Sequence, residues 1–425
     1  MITVGLDFGT HQSKICIEYK EGAELSYEFF KFKDANNESK YTLPSIIQID
    51  KNEKLMYGYI PNGRNGEIIR YFKQAAFTSI ETGLSQMDAI YYSIWYIAYI
   101  LFDLQEKYGQ EFAIQMGVPS DGMRLNKQKM LAVRILLSAY RLVEEVFESD
   151  KKSFLIMTEK ELKTVTELVP YNREKKDEYS ILVFPEAYAC LMPLVKSEKI
   201  AQGMSLMIDI GGGTTDISFF TIMDKQPRIY DFYSIDKGLN FLTDASRLKT
   251  DRITSNINLC DIKLKRIDIF NYFIYQTHDT LKKRLTDCFE KSTILSVNKL
   301  FDALKNRPLI YSGGGSTFKQ LRTPCCGFND IIHISGEQWN MKCVVDSDKI
   351  QEEGLCPILS TAYGLSVSVI DDNIICEPFD NLFAGLKDCE IDDRYTPKSN
   401  SMKKKYHHDN NYDSFNYMDD YDAWK

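Results

Sequence analysis

The chain has 425 residues, 44% of them hydrophobic and 26% charged, which is ordinary for a globular protein and long enough for two lobes that each bury a core. Its 52 Lys and Arg stand against 60 Asp and Glu, a net charge of −8 that excludes a broad electrostatic footprint for nucleic acid, so no direct nucleic-acid binding is expected. The 10 Cys include no Cys-x-x-Cys pair and accompany only 5 His, so no zinc site is indicated and a reducing, cytoplasmic setting is expected.

From Ile2 the pattern is strand-like at once, which leaves no room for a signal peptide. VGLDFGTHQSKICIEY reads as a first hairpin, followed by the strands ELSYEFFKF and LPSIIQID. The longest apolar stretch, residues 89–102, is shorter than the roughly 20 residues a membrane span needs, so it reads as a buried core helix and no membrane contact is expected. KYGQEFAIQMGVPSD reads as a strand ending in a Pro-Ser turn, and residues 123–149 as a long helix. A second strand-rich piece, SFLIM and then YSILVF with a charged turn at 173–178 between them, leads into a second hairpin, SLMIDIGGGTTDISFF. PRIYDFYSID is a strand reaching Lys237 and Gly238, residues 240–305 read as mostly helical, and PLIYSGGGST reads as a strand whose glycines open a helix. CPILSTAYGLSVSV is the last structured helix, and beyond Asp380 the polar sequence reads as a disordered tail.

The two hairpins are the informative feature. In each, a β-branched apolar run ends in Asp-x-Gly and a second apolar run follows directly. A dinucleotide loop would open a helix, whereas Gly211, Gly212 and Gly213 lead to Thr214, Thr215, Asp216 and then a strand; no P-loop motif occurs either. What remains is a duplicated phosphate clamp. Glycine turns let backbone N–H groups approach phosphate oxygens, and Thr10, Thr214 and Thr215 add hydroxyl donors. Asp7 and Asp209 would repel a polyphosphate unless a divalent cation lies between, so the pairing implies Mg²⁺ with retained waters. Either copy alone reads equally as an ordinary hairpin; two copies about 200 residues apart shift the balance toward a clamp.

The order of the glycine motifs resembles the actin-like ATPase superfamily, and within it the nucleotide-binding domain of the DnaK-type heat-shock chaperones. DFGT at 7–10 is similar to the first phosphate motif, DIGGGTTD at 209–216 to the second, and SGGGST at 312–317 to the adenosine motif, with PEAYACL and STAYGLSVS similar to the two connecting helices. The resemblance spans roughly residues 1–375. It implies an α/β, two-lobed actin-like (ribonuclease H-like) fold, with duplicated mixed sheets flanked by helices and a nucleotide cleft between the lobes. Lobe one would be 1–203 with a small strand-rich subdomain at about 25–70; lobe two would be 204–360 with a shortened helical subdomain at about 239–306. A closing helix at 361–380 would return to lobe one, and 381–425 would be the tail.

Carried over residue by residue, the resemblance makes Asp7, Glu186 and Asp209 the carboxylates that hold hydrated Mg²⁺ around the phosphates of ATP or ADP, with Gly9, Thr10, Gly211, Gly212, Gly213, Thr214 and Thr215 around the phosphate oxygens. Lys73 matches the lysine that helps place the attacking water, its fixed charge offsetting charge on the γ-phosphoryl group; a solvated helix lysine is the alternative. Glu186 follows Pro185, and alternatively only charges a helix first turn. His11 replaces a small polar residue beside phosphate, or else faces solvent. Gly238, Gly313, Gly314, Gly315 and Ser316 fall in the adenosine region. Lys283, with Arg284, loosely resembles the basic helix that packs on adenine, though a solvated helix face accounts for it better.

Departures limit what carries over. The 238–314 stretch is shorter than the corresponding chaperone lobe, and the region between Pro119 and Glu186 is longer. Plasmid-segregation actins elaborate that region too, and GMSLMIDIGGGTTDISFF with KGLNFLTDA is similar to them as well. The peptide-binding β-sandwich and lid are missing, and about 40 polar residues cannot build them. The resemblance therefore implies a Mg²⁺-ATP-hydrolysing, chaperone-like nucleotide switch whose motion an unknown partner protein reads. The alternatives are an ATP-dependent filament that self-assembles head to tail, and a small-molecule kinase. The acidic, tyrosine-rich tail reads as solubilising disorder, with a docking peptide around Asp419, Asp420, Tyr421 and Trp424 as the alternative.

Overall fold

The computed structural model describes residues 1–369 except for 62, 64, 79–81, 120–123, 170–174, 198–202, 224–225, 243–263, 292–304, 306, 325–327 and 329; the expected tail therefore lies outside the described residues. In chain order the strands are β1 (Ile2–Asp7), β2 (Gln12–Glu21), β3 (Glu24–Phe29), β4 (Phe32–Lys33), β5 (Ser39–Lys40), β6 (Leu43–Pro44), β7 (Ile46–Asp50), β8 (Leu55–Tyr57), β9 (Gly66–Arg70), β10 (Ala113–Val118), β11 (Ile181–Pro185), β12 (Gly203–Ile210), β13 (Thr215–Met223), β14 (Gln226–Ile235), β15 (Pro308–Ser312) and β16 (Asp330–His333). The α-helices are α1 (Phe72–Phe77), α2 (Gln86–Tyr108), α3 (Leu125–Arg141), α4 (Lys151–Ile156), α5 (Glu159–Leu168), α6 (Lys175–Glu178), α7 (Glu186–Ser197), α8 (Leu239–Leu242), α9 (Ile267–Lys291) and α10 (Ser347–Glu352), with a closing helix at Cys356–Ser366.

The fold is mixed α/β. The first large sheet has the order β3-β2-β1-β10-β11, and the second the order β14-β13-β12-β15-β16. In both, the first three strands are antiparallel neighbours and the last two run parallel to the central one. The two sheets thus share one strand order and one set of directions. Between β3 and α1 lie the smaller β4-β5 and β8-β7-β9 sheets.

The apolar run at 89–102 is inside α2, and Ala89, Tyr96, Ile97, Ala98, Ile100 and Leu101 are fully buried. Its phenols find partners in the core: Tyr96 Oη donates to the carbonyls of Leu43 and Pro44, both at 3.1 Å. Among the described residues no helix is long and apolar enough to cross a membrane. Two local expectations are corrected. SFLIM belongs to α4, not to a strand, because Asp150 accepts the Lys152 N–H and caps a helix there; a short apolar run does not distinguish the two. The long helix expected at 123–149 is α3 followed by a wider π-helical turn at Leu142–Val146.

The closing helix ties the two sheets together. Pro193 lies inside α7 and has no N–H, so the Ala189 carbonyl four residues earlier loses its helical donor. Gly364 packs directly onto that carbonyl, so close that a Cβ at Gly364 would overlap the oxygen and lie 3.1 Å from Pro193 Cδ. Only glycine allows the approach, and its Cα–H faces the freed carbonyl. Beyond the helix, the Ser368 N–H and hydroxyl both donate to Glu18 on β2, a fully buried carboxylate that also binds Tyr27 and Lys196.

Candidate functional site

Asp7 ends β1, Glu186 opens α7 after β11, and Asp209 lies one residue from the end of β12; all three are buried. The strand order brings them together at the carboxyl ends of both sheets. Lys73, on α1, is buried and ion-paired with Glu186. Burial alone would lower the Lys73 ammonium, but the charges of Glu186, Asp7 and Asp216 outweigh it, and its pKa is raised. Lys73 is therefore a core cation, not a solvated helix lysine.

Asp209 carries the imbalance. Burial first, then Glu186 and Asp7, push its carboxyl up to about 7. Its Oδ1 has no hydrogen-bond partner, while Cys190 Sγ donates to Oδ2 at 3.5 Å. Behind it, Cys190 meets Thr361 Oγ1 at 2.8 Å and Ser312 Oγ at 3.7 Å, so α7, β15 and the closing helix jointly fix this carboxylate.

Two further residues belong to the site and were not singled out from sequence. Asp216 stands directly opposite Asp209 across the second hairpin, is buried, and is pushed well above the usual carboxylate range by burial and by Glu186. Lys14 stands opposite Asp7 across the first hairpin and donates to its Oδ2 at 2.7 Å. Each is the seventh residue after its hairpin aspartate, the partner that an antiparallel register assigns. The site thus gathers Asp7, Glu186, Asp209 and Asp216 against Lys14 and Lys73, an excess of negative charge in a buried place.

The two glycine turns touch. A Cβ on Gly213 would lie 3.1 Å from Gln74 Nε2 and 3.2 Å from Thr10 Cγ2, and one on Gly212 would overlap the His11 ring. His11 also pairs with Asn240 Oδ1 and lies edge-on to Tyr71, 5.7 Å between centroids. Packed in this way, His11 is half-buried, and burial brings its imidazole down to about 4. The Thr10 and Thr214 hydroxyls, and the amides of Gly212 and Gly213, donate to no other described residue. Gly211 closes the second turn, its N–H donating to the Thr214 carbonyl at 2.9 Å. The Gly9 carbonyl accepts the Ser45 hydroxyl at 2.7 Å, which pins the first turn.

Other expected residues serve the scaffold. Thr215 is fully buried and its hydroxyl donates to the Lys237 carbonyl at 2.8 Å, so it is committed to the adjoining loop rather than to a ligand. Gly238 lets that loop lie against the second turn, 2.6 Å from a would-be Cβ to the Gly211 oxygen. Gly313 has φ 78, its N–H donates to the Pro357 carbonyl at 3.0 Å, and a Cβ there would overlap Asp209 Oδ1. The glycines do not open a helix: Gly314–Thr317 and Lys319–Leu321 are single 3₁₀ turns, closed by the Ser316 hydroxyl on the Gly313 carbonyl at 2.7 Å. A Cβ on Gly315 would overlap Ile210, and Gly314 faces Leu239. Lys283 on α9 is exposed and ion-paired with Asp279 at 3.0 Å on its own helix, as the solvated-face alternative expects.

Among the described residues no group of three or more His, Cys, Asp or Glu could hold a metal ion directly. The buried excess charge and the orphaned Asp209 oxygen still fit a divalent cation that keeps its waters and completes its shell from a ligand's oxygens. Compared with known proteins, the chain matches no family model and no curated protein.

Proposed function

We propose that the chain is a Mg²⁺-dependent, ATP-binding and ATP-hydrolysing nucleotide switch, built on a two-lobed actin-like fold of the heat-shock chaperone type. One observation carries this reading: four buried carboxylates, with buried Lys73 against Glu186 and half-buried Lys14 against Asp7, gather where two sheets of the same strand order end, beside two glycine turns in contact. An anion alone would be repelled there, whereas a polyphosphate arriving with a divalent cation is not.

A bound Mg²⁺ supplies neutralisation of charge on the β- and γ-phosphoryl oxygens. Asp7, Glu186 and Asp209 hold its waters, and Lys73, oriented by Glu186, offsets charge that develops on the transferred group. Thr10, Thr214 and the amides of Gly212 and Gly213 donate to phosphate oxygens. Loss of the γ-phosphoryl group removes contacts shared by the two turns, the lobes part, and a partner protein reads that motion.

The test is calorimetric titration of the full chain with ATP and Mg²⁺, with phosphate release and light scattering followed in parallel. Saturable ATP binding, release of phosphate without an added acceptor, and no nucleotide-dependent scattering are expected. A chain that binds no ATP refutes the reading; ATP-dependent scattering transfers it to a filament, and release only with an acceptor to a kinase.

A further inference from the structure

Gln74 follows Lys73 in α1 and is only 8% exposed. Its carbonyl accepts both the N–H and the hydroxyl of Thr78, at 3.0 and 2.8 Å, so its backbone is fixed. Its side-chain amide has no hydrogen-bond partner among the described residues. That amide lies where the two glycine turns meet, since a Cβ on Gly213 would sit 3.1 Å from its Nε2, with the Thr10 methyl 3.2 Å from the same point. Unlike Asp209 Oδ1, the unpaired amide is not sealed from solvent, so it is open to a water or a ligand that enters beside the turns. The helix that carries it starts from Tyr71 at φ 62, a left-handed conformation that a bulky residue adopts only under constraint.

The neighbouring charged groups are committed: Lys73 to Glu186, and Lys14 to Asp7. Gln74 is a neutral group beside them that both donates and accepts, as the Thr10 and Thr214 hydroxyls also do. We infer that Gln74 orients the attacking water against the γ-phosphoryl group, an inference that rests on the ATPase reading above. In that step the water oxygen forms a bond to the γ-phosphorus while the bond from phosphorus to the bridging oxygen breaks. ADP leaves with that electron pair; one water proton stays on the inorganic phosphate and the other passes to solvent. Gln74 takes neither proton, because an amide is not a base at neutral pH. It fixes the water's direction by hydrogen bonds, as a glutamine does in other phosphoryl-transfer sites.

The test compares the full-length chain with Gln74→Ala and Gln74→Met by kcat, KM and the calorimetric Kd for Mg²⁺-ATP. Both variants are expected to lose about 100-fold in kcat, with KM and Kd changed by less than about threefold. The methionine variant preserves length and neutrality while removing both hydrogen-bonding groups, and carries the test if the alanine variant fails to fold. Wild-type kcat in a folded variant overturns the assignment, as does a rise in KM and Kd at unchanged kcat, which would make Gln74 a ground-state contact. An intact chain that binds no ATP overturns the function and this assignment together; an active chain with unimpaired variants overturns this assignment alone.

Discussion

The charge imbalance at Asp209 predicts that its removal stabilises the ligand-free protein. Its carboxyl is raised from an ordinary 3.8 to about 7, by burial and then by Glu186 and Asp7. Between those values the folded chain keeps a proton that the unfolded chain has released, so the contribution is full below 3.8 and lost as pH rises through about 7. At about 1.4 kcal/mol per pH unit, ionising this group costs about 4 kcal/mol more in the folded state. Asp209→Asn has the same shape and no charge. Because the Cys190 thiol that donates to Oδ2 would then face an amide, the gain at about pH 8 should fall to about 2–3 kcal/mol. Urea unfolding of both proteins at about pH 5 and about pH 8, without Mg²⁺ or nucleotide, reads the difference. Wild type should lose stability relative to the variant as pH rises. Calorimetry should show the reverse for function, with Mg²⁺-ATP affinity rising through about pH 7 in wild type and lost in the variant. A variant no more stable than wild type at the higher pH, or a difference independent of pH, would refute the argument.

Two further outcomes follow from packing and burial. Gly364→Ala sets a methyl group into the Ala189 carbonyl where Pro193 has freed it, and should cost about 3 kcal/mol or more, read as a lower urea midpoint; a change below about 1 kcal/mol would mean the two helices are not packed this closely. The His11 ring should titrate near about 4 by NMR, with the stability it provides present above its ordinary 6.5 and lost as pH falls through about 4; a midpoint near 6.5 would put the ring in solvent.

How much of this was legible in the sequence follows from what is local. The hairpins were, because a period-two apolar pattern broken by Asp-x-Gly specifies strand, turn and strand within 16 residues. Glu186 and Lys73 were located only through the resemblance, since nothing near Lys73 announces a partner more than 100 positions away. Asp216 and Lys14 were within reach: an antiparallel register sets each across from the aspartate of its own hairpin. Thr215 looked like Thr214, but alternation along β13 turns it inward to the Lys237 carbonyl, and short-range patterns do not supply that destination. Gln74 carried no signal at all. Its role follows from the meeting of two turns that are far apart in the chain, and only the tertiary structure brings them together.

The equivalence of the two hairpins explains why the charge excess falls on one side. Both present an aspartate at the end of a central strand and a second residue opposite it, but that residue is Lys14 in the first and Asp216 in the second. The first hairpin neutralises its own carboxylate by direct contact. The second doubles its negative charge in a place too buried for water to screen it. Lys73 comes from the first sheet's side and offsets part of that charge, yet it is already bound to Glu186. Duplication of the strand order therefore did not duplicate the electrostatics. The site is balanced on one side and deficient in positive charge on the other, so protons or a cation should collect at Asp209 and Asp216 before they collect at Asp7.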